Sequence, residues 1–335
     1  MEVFMPFYPS ADIGGSERSV LMAPQSSAIQ AVPQYSCRAA TAQLEEKTQM
    51  RSISVVIPDL NEGRGVRLTA LSIVMPVYNE SATIVRAVNR VLAVDYPCPV
   101  ELIVVDDGST DTTLELLRPF TDLGVTTVCH PTNRGKGAAV RTGVRRATGT
   151  HVIILDADLE YSPSDIPALL LPVLNGVTDH VFGSRVFGLN TRFPSYRFAK
   201  GGRFTTAVAN VLFDSCITDM HTCLKLIPAE HFRALTLSQK GFGLDTELTC
   251  MLLRAGVRPY EVPVTYYGRT CGEGKKITWR DGVQCLWILV LVRLHKADKL
   301  PAAIAETVGV VVPMPAAPAP RLVERPEAEI ANAAT

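Results

Sequence analysis

The chain has 335 residues, enough for one large domain or two small ones, and its composition of 47% hydrophobic and 20% charged residues is typical of a folded globular core. Lys and Arg together number 33, as do Asp and Glu, so no net field attracts nucleic acid, and any anion site must be local. The 8 cysteines are scattered without a C-x-x-C pair, which argues against a zinc site or a disulfide framework and favours a reducing cytoplasm.

The ends of the chain predict neither a secreted nor a membrane-spanning protein. The longest apolar run near the C-terminus, Cys285 to Val292, is well short of the roughly 20 residues that a spanning helix needs. The first residues lack a basic region followed by an apolar stretch. We therefore expect a cytoplasmic protein, and we leave open a peripheral position on the inner face of the membrane.

Composition and periodicity divide the chain into four parts. Residues 1–70 are rich in Ser, Ala, Gln and Pro and predict a flexible extension. The Ala- and Pro-rich residues 301–335 predict a disordered tail. Between them we expect a main domain over residues 71–275 and an amphipathic helix over residues 276–300.

Short β-type runs alternate with helical periodicity in the main domain. The predicted strands are Leu71–Val77, Val100–Val105, Val125–His130, His151–Leu155 and Asp179–Gly183. The predicted helices between them are Ala82–Val94, Thr112–Phe120, Gly137–Ala147 and Asp165–Leu174. This alternation predicts an α/β fold with a Rossmann-like, open, mostly parallel sheet that has helices on both faces.

Polar motifs directly follow three of the predicted strands. They are Pro76–Glu80, Asp106–Asp111 and Asp156–Asp158. In an open α/β sheet the ligand crevice lies at the carboxyl ends of the strands, so these motifs should meet at one rim. The earlier segment Ile53–Glu62 echoes Leu71–Glu80, but it lacks the tyrosine and the following amphipathic helix, so we place the site in the second copy.

The residue types at this rim indicate its chemistry. Asp156 and Asp158 can share a hard cation such as Mg²⁺ or Mn²⁺ with a diphosphate, whose oxygens complete the coordination. The metal would neutralise the diphosphate as it leaves. Asp107 and the backbone of Pro76–Tyr78 are suited to hold a nucleoside, because a carboxylate accepts hydrogen bonds from base or ribose and Tyr78 offers a flat face and a hydroxyl.

Each motif also has a plainer interpretation. A lone D-x-D is usually a solvated turn, and a lone Asp-Asp-Gly-Ser is a common helix start in which Ser109 or Asp111 caps the helix. The order of the motifs at successive strand ends favours a binding site over these alternatives.

Three segments carry a resemblance to a known family. They read Leu71-Ser-Ile-Val-Met-Pro-Val-Tyr-Asn-Glu80, Val105-Asp-Asp-Gly-Ser109 and Leu155-Asp-Ala-Asp-Leu-Glu-Tyr161. The chain resembles the family 2 glycosyltransferases, and within them most closely the dolichyl- and polyprenyl-phosphate sugar synthases. The resemblance runs from about Leu71 to Leu294 and includes Gly183-Ser-Arg185, Thr218-Asp-Met-His-Thr-Cys-Leu-Lys225, Gly241-Phe-Gly-Leu-Asp-Thr-Glu247 and Tyr266-Tyr-Gly-Arg-Thr-Cys-Gly-Glu-Gly-Lys-Lys276.

The resemblance implies a GT-A fold and an inverting, Mg²⁺- or Mn²⁺-dependent transfer from a nucleotide-diphosphate sugar, such as GDP-mannose or a UDP-hexose, to a polyprenyl phosphate. Carried over by motif, the residues that would contact the nucleoside are Pro76, Tyr78, Glu80 and Asp107. Asp156 and Asp158 would serve the metal and the diphosphate. Many lipid-phosphate members have Gln where this chain has Glu160, which leaves the donor base and sugar open.

Four basic side chains are candidates for contacts with phosphate groups. Lys136 lies in Asn133-Arg-Gly-Lys-Gly137 at a predicted helix start, where amides and the helix dipole favour anions. Arg185 stands where the family has an arginine near the phosphates, and Arg269 and Lys275 lie in a glycine-bearing loop that can close over the site. For Lys136, Arg269 and Lys275 the alternative is a solvated loop charge.

The sequence leaves the acceptor open between a lipid phosphate and a hydroxyl. A lipid phosphate is already an anionic nucleophile, whereas a sugar hydroxyl needs a carboxylate to take its proton; Asp245 and Glu247 lie where related transferases place such a group, and we assign neither. Residues 277–295 predict an interfacial helix or ordinary packing, and Phe204–Ile217 is an amphipathic candidate for a lipid channel. The alternatives to a lipid acceptor are a soluble family 2 transferase that acts on a hydroxyl and a catalytically silent nucleotide-sugar-binding protein.

Overall fold

The computed structural model describes residues 66–188, 190–269 and 279–294. The strands are β1 (Leu71–Val77), β2 (Val100–Asp106), β3 (Thr126–Cys129), β4 (His151–Ile154), β5 (Val181–Ser184), β6 (Thr191–Arg192), β7 (Lys225–Pro228), β8 (Tyr260–Pro263) and β9 (Tyr266–Tyr267). Seven of them form one sheet in the order β3-β2-β1-β4-β7-β5-β8, and β6 pairs with β9 in a second, two-stranded sheet. The repeated segment at 53–62 and the predicted tail lie outside the described residues.

The described residues form eight α-helices, of which the four predicted between the first five strands lie close to their predicted positions and the one at Ala229–Ala234 was not predicted. They are α1 (Ile84–Leu92), α2 (Thr113–Leu117), α3 (Lys136–Arg146), α4 (Ile166–Leu174), α5 (Tyr196–Phe213), α6 (Ala229–Ala234), α7 (Gly243–Arg254) and α8 (Trp279–Leu294), with 3-10 turns at Arg118–Leu123 and Pro163–Asp165. Helix α3 packs closely on the sheet at Gly143, where a Cβ atom would lie 2.4 Å from Cγ1 of Val74 in β1.

The register of the sheet decides where the polar motifs meet. β1 pairs in parallel with β2, from Leu71 opposite Val100 to Val77 opposite Asp106, and in parallel with β4 on its other side. β7 runs antiparallel to both β4 and β5. The predicted α/β fold with a mostly parallel sheet is therefore confirmed, and the carboxyl ends of β1, β2 and β4 share one edge.

The core lies along the central strands. Every residue of β1 is buried, as expected of a parallel strand that is covered on both faces. Leu68 is also buried, and the backbone N–H of Thr69 donates to Oγ1 of Thr150 over 3.0 Å. The packed structure thus includes residues just before Leu71, where the sequence predicts the end of a flexible extension.

Helix α5 differs from the predicted Phe204–Ile217 by starting earlier. It begins after Ser195, whose hydroxyl oxygen accepts the backbone N–H of Phe198 and so caps the helix. It ends at Asp214, which takes the left-handed conformation with φ of 47°. The amphipathic pattern that predicts the later half of the helix does not reveal either cap.

Helix α8 has one buried side and one exposed apolar side. Its inner side joins a small hydrophobic cluster with α5 and α7, formed by Ala209, Phe213, Ile217, Met220, Cys250, Leu253 and Leu289. Its outer side exposes Val283, Trp287, Val290, Leu291 and Leu294. Ordinary packing therefore accounts for only half of this helix. Within the described part of the chain, no helix combines the length and apolar character needed to cross a membrane.

A cluster of three buried histidines lies beneath the sheet edge that is opposite the motifs. His151 begins β4, His180 directly precedes β5, and His231 lies in α6. The rings of His180 and His231 stack with centroids 5.0 Å apart. Burial, and next the nearby histidines, lower the pKa of His180 to about 3 and the pKa of His151 to about 4. All three side chains are buried, and charging His151 or His180 opposes folding.

We expect this cluster to make the fold sensitive to acid. An unfolded histidine has a pKa of about 6.5, so between about pH 6.5 and 4 the unfolded chain binds protons that the folded protein does not, and the free energy of unfolding falls as the pH falls. Urea titrations at pH 7 and pH 5 will measure this loss. The His180→Gln variant should lose less stability over the same interval than the parent, and an equal loss would contradict the assignment.

Candidate active site

A cavity of about 870 Å³ opens at the carboxyl ends of β1, β2 and β4. The candidate residues that line it are Pro76, Tyr78, Glu80, Asp107, Lys136, Asp156, Asp158, Arg185 and Arg269. These are all the candidates that the structure describes, since Lys275 lies outside the described residues. The convergence that the sequence predicts from strand order is therefore present.

Asp107, at the end of β2, organises the turn that precedes α3. Its carboxylate lies 2.6 Å from Nδ1 of His130 and accepts the backbone N–H groups of Arg134 and Gly135 over 3.0 and 2.6 Å. Gly135 has φ of 90°, and a Cβ there would lie 2.4 Å from the carbonyl oxygen of Lys240, so only glycine fits this turn. Asp107 is thus committed to shaping the cavity wall, and its contact with a nucleoside stays a prediction.

Lys136, the first residue of α3, extends across the end of β4. Its Nζ lies 2.8 Å from Oδ2 of Asp156 and 3.4 Å from Oδ2 of Asp245. Burial alone would lower the pKa of Lys136, but the charges of Asp156 and Asp245 outweigh burial and hold that pKa well above its ordinary value. The N–H of Gly137 donates to the carbonyl of Lys240 over 2.6 Å, so this amide of the first helical turn is not available to an anion. The Lys136 side chain is therefore the group here that can bind one.

Asp158 lies in a tight turn after β4. One carboxylate oxygen accepts the backbone N–H of Glu160 over 3.0 Å, and the other lies 3.2 Å from Nη2 of Arg269. The intervening Leu159 has φ of 64°, an uncommon conformation for a residue with a side chain. Burial, and next the charges of Asp156 and Glu160, raise the pKa of Asp158 above its ordinary value. The structure thus concentrates negative charge at this turn.

Glu160 ties the loop after β9 to the same turn. Its carboxylate accepts the hydroxyl of Tyr266 over 2.7 Å and the backbone N–H of Arg269 over 2.7 Å. The Arg269 guanidinium also lies 3.9 Å from Oε2 of Glu80 and 3.8 Å from Oε1 of Glu160. Glu160 therefore helps to position Arg269 next to Asp158.

Arg185, directly after β5, lies in a buried ion pair that motif reasoning did not anticipate. Its Nε and Nη2 donate to the two oxygens of Asp219 over 2.6 and 2.8 Å, and its guanidinium lies 4.8 Å from the ring centroid of Tyr266. Burial would raise the pKa of Asp219, but Arg185 lowers it to about 2. His221, from the same segment as Asp219, also lines the cavity, with Nε2 2.6 Å from Oγ1 of Thr205.

The structure separates the two acidic residues at the start of α7. Asp245 lines the cavity, and its Oδ1 has no hydrogen-bond partner among the described residues. Burial would raise the pKa of Asp245, but Lys136 and Lys225 lower it. Glu247 instead accepts the backbone N–H groups of Ser238 and Gln239 over 2.9 and 2.8 Å. Of the two, only Asp245 lines the cavity.

The acidic turn fits a metal that is shared with a ligand. No group of three or more His, Cys, Asp or Glu side chains in the described ranges is arranged to hold a metal ion. Mg²⁺ is usually held by one or two carboxylates together with substrate phosphates and water, and the all-oxygen pair of Asp156 and Asp158 suits that ion and Mn²⁺. Asp156 and Asp158 therefore fit a divalent cation that a diphosphate helps to bind.

The fold and the acidic rim together define a glycosyltransferase of the GT-A architecture. Glucosyl-3-phosphoglycerate synthase from Mycobacterium tuberculosis, crystallised with Mn²⁺, uridine diphosphate and phosphoglyceric acid, has a similar fold with a TM-score of 0.51 and 22% identity, over 72% of this chain and 82% of that chain. The sequence profile of Glycosyl transferase family 2 matches residues 72–232. The chain belongs to this family.

Two relatives show how far the likeness extends along the chain. The glycosyltransferase AglJ from Haloferax volcanii is 30% identical over 64% of this chain and 68% of its own length. Dolichol-phosphate mannosyltransferase from Pyrococcus furiosus is 28% identical over 61% of this chain and 58% of its own length. The chain thus spans somewhat over half the length of these relatives, and the family resemblance predicted from the motifs is confirmed.

We expect the charge of Asp158 to be essential for transfer. The Asp158→Asn variant keeps the size of the side chain but removes a carboxylate from the metal pair, so turnover with nucleotide-sugar donors should fall by roughly a hundredfold or more. Initial rates with Mn²⁺ and the melting temperature will be measured together. Asp122→Asn, on an exposed turn, is the matched control. Full activity of Asp158→Asn in the presence of EDTA would rule out the metal assignment.

Proposed function

We propose that this protein is an inverting glycosyltransferase that moves a hexose from a nucleotide-diphosphate sugar to the phosphate of a polyprenyl lipid. The observation that carries this proposal is the shape of the cavity. The cavity begins at the acidic turn after β4 and continues between α5 and α8, where its lining merges with an exposed apolar surface. One continuous space therefore suits a nucleotide sugar at one end and an apolar chain at the other.

The donor half of the cavity supports a nucleoside diphosphate. Pro76 and Tyr78 line its wall next to Asp107, and we assign the nucleoside to this side. Asp156 and Asp158 would hold a divalent cation, which neutralises charge on the leaving diphosphate. The same assignment follows from the order of the motifs, and the donor sugar stays open between GDP- and UDP-linked hexoses.

The acceptor half of the cavity is lined by helix residues that leave room for a chain. The lining residues from α5 and α8 include Phe198, Gly201, Gly202, Phe204, Gly282, Val283 and Leu286. Outside the glycine's own stretch of helix, no atom of the described residues lies within 4 Å of the position that a Cβ would take at Gly201 or Gly282. A glycine inside a helix is destabilising by about 1 kcal/mol relative to alanine, and the open space over these two glycines favours a ligand that approaches the helix backbone.

The cavity mouth lies in a surface that suits a bilayer, which we call the α5–α8 surface. Its exposed apolar side chains are Phe204, Val211, Val283, Trp287, Val290, Leu291 and Leu294. Its exposed basic side chains are Arg197, Lys200, Arg203, Arg280 and Arg293. A helix surface that combines large apolar residues with Lys and Arg is typical of proteins that lie on anionic membranes. Phe204 and Val283 belong to both the surface and the cavity lining, so a lipid would enter from the membrane side.

A phosphate acceptor simplifies the chemistry at the anomeric carbon. A phosphate oxygen is anionic at neutral pH and attacks without transferring a proton. Its bond to the anomeric carbon forms while the bond from that carbon to the diphosphate oxygen breaks, and the electron pair leaves with the diphosphate. A single displacement inverts the configuration. Lys136 and Arg185 also line the cavity, and their positive charges would stabilise the departing diphosphate.

A second candidate function is transfer to a sugar hydroxyl. One observation favours it: Asp245 faces the cavity with an oxygen that has no hydrogen-bond partner among the described residues. Such a carboxylate can take the proton of a hydroxyl acceptor. The two functions differ in their dependence on Asp245, because a phosphate acceptor has no proton to give.

We expect an acceptor panel to separate the two functions. The full chain, with Mn²⁺ and a set of UDP- and GDP-sugars, should glycosylate polyprenyl phosphate and ignore free monosaccharides and oligosaccharides. Thin-layer chromatography of the lipid product will measure transfer. The Asp245→Asn variant should keep the preference for polyprenyl phosphate over hydroxyl acceptors. Ready transfer to a soluble hydroxyl with no transfer to polyprenyl phosphate would overturn the proposal and leave the second candidate.

We also expect the α5–α8 surface to bind anionic vesicles. The protein should sediment with vesicles that contain phosphatidylglycerol, and less so as the salt concentration rises, because the basic residues act through screened charge. Trp287→Glu should abolish sedimentation, since it places a charge in the middle of the apolar stripe. Leu123→Glu replaces an equally exposed apolar residue away from this surface and is the control. Unchanged binding by Trp287→Glu would contradict the assignment.

A further inference from the structure

Both carboxylates of the D-x-D motif are paired with cations from distant parts of the chain. Nζ of Lys136, from the start of α3, lies 2.8 Å from Oδ2 of Asp156. Nη2 of Arg269, from the loop after β9, lies 3.2 Å from Oδ2 of Asp158. The two side chains that fit a divalent metal are therefore neutralised by the protein's own basic groups.

Each cation also has a second acidic neighbour that lies farther away. Lys136 lies 3.4 Å from Oδ2 of Asp245, and Arg269 lies 3.9 Å from Oε2 of Glu80 and 3.8 Å from Oε1 of Glu160. These neighbours are near enough to hold the two basic groups at the rim of the cavity if the contacts with the D-x-D motif are lost. Both groups are thus placed to exchange one anionic partner for another.

The burial of these pairs makes their charges count. The side chains of Lys136 and Asp156 are 14% and 22% exposed, and those of Arg269 and Asp158 are 25% and 19% exposed. Charges that are partly buried are screened much less than surface charges. Lys136 and Arg269 therefore each oppose the binding of a metal ion at the carboxylate with which they are paired. A diphosphate has the anionic oxygens that both Lys and Arg bind well.

We infer that Lys136 and Arg269 are exchangeable counter-cations, which weaken metal binding by the D-x-D carboxylates until the donor diphosphate takes them over. Metal and nucleotide then strengthen each other's binding. The diphosphate draws the two cations away from the carboxylates that bind the metal, and the metal, by binding those carboxylates, frees the cations to bind the diphosphate. By linkage, the factor by which nucleotide raises metal affinity equals the factor by which metal raises nucleotide affinity. This inference rests on the donor half of the proposed function and is independent of the acceptor.

The test is Mn²⁺ binding, followed by the electron paramagnetic resonance signal of the free ion. The full chain is titrated alone and with saturating UDP or GDP, and no acceptor or sugar transfer is involved. The variants are Lys136→Met and Arg269→Met, which remove one charge each, and Lys136→Arg, which keeps it. Lys240→Met removes a charge from an exposed side chain and is the matched control. Melting temperatures show that each variant is folded.

We expect Lys136→Met and Arg269→Met to bind Mn²⁺ about tenfold more tightly than the parent when no nucleotide is added. The enhancement by nucleotide should shrink in both variants, from a parent value on the order of 5- to 150-fold. Lys136→Arg and Lys240→Met should behave like the parent. A purely structural role for either residue would lower the melting temperature and would not tighten metal binding.

Two results would overturn the inference. In the first, both charge-removing variants bind Mn²⁺ alone no better than the parent. In the second, the two variants bind Mn²⁺ more tightly but keep the full enhancement by nucleotide. That result would mean that the cations oppose metal binding without moving to the diphosphate. The absence of Mn²⁺ binding in all conditions would refute the metal assignment as well. Failure to use polyprenyl phosphate, by contrast, would leave these measurements unaffected.

Discussion

The parallel pairing of β1 with β2 and β4 is the constraint on which the site depends. Because the three strands run in the same direction and are adjacent, their carboxyl ends open at one edge, and the turns that follow them meet there. Asp107 follows β2 and shapes the turn before α3, which in turn delivers Lys136 to Asp156 at the end of β4. The pairing of the strands thus determines which charged side chains lie close together.

The site is built from compensated charges rather than isolated ones. Arg185 is paired with Asp219, Lys136 with Asp156, and Arg269 with Asp158. Arg185 and Asp219 are the most deeply buried of these pairs, and removing either one would leave the other charge without compensation, which is strongly destabilising. These pairs therefore hold loops from distant parts of the chain in place. They also keep positive charge next to the carboxylates, where it can bind a diphosphate.

Local pattern predicted the elements well and predicted pairing poorly. Motifs at strand ends located the acidic rim, because topology alone brings strand ends together. Strand β7 (Lys225–Pro228) escaped prediction because Lys225 and Pro228 enclose an apolar run of only two residues, and it is the strand that runs antiparallel in the sheet. The pairing of Arg185 with Asp219 joins residues 34 positions apart with no local signal. Choosing Asp245 over Glu247 likewise needs side-chain directions that only the packed helix defines.

The apolar outer side of α8 constrains how the protein could meet a lipid acceptor. Leu289 is fully buried, while Trp287 and Leu294 are 62% and 74% exposed, so the helix is apolar on two sides and the protein covers one of them. Full burial of a large apolar side chain contributes about 1.5–3 kcal/mol. On the proposed membrane surface, a few partly inserted side chains would therefore give reversible attachment rather than permanent anchoring. In the proposed function a lipid acceptor would enter, and a larger lipid product would leave, through the cavity whose lining includes Phe204 and Val283 of the same surface, and reversible attachment would allow that exchange.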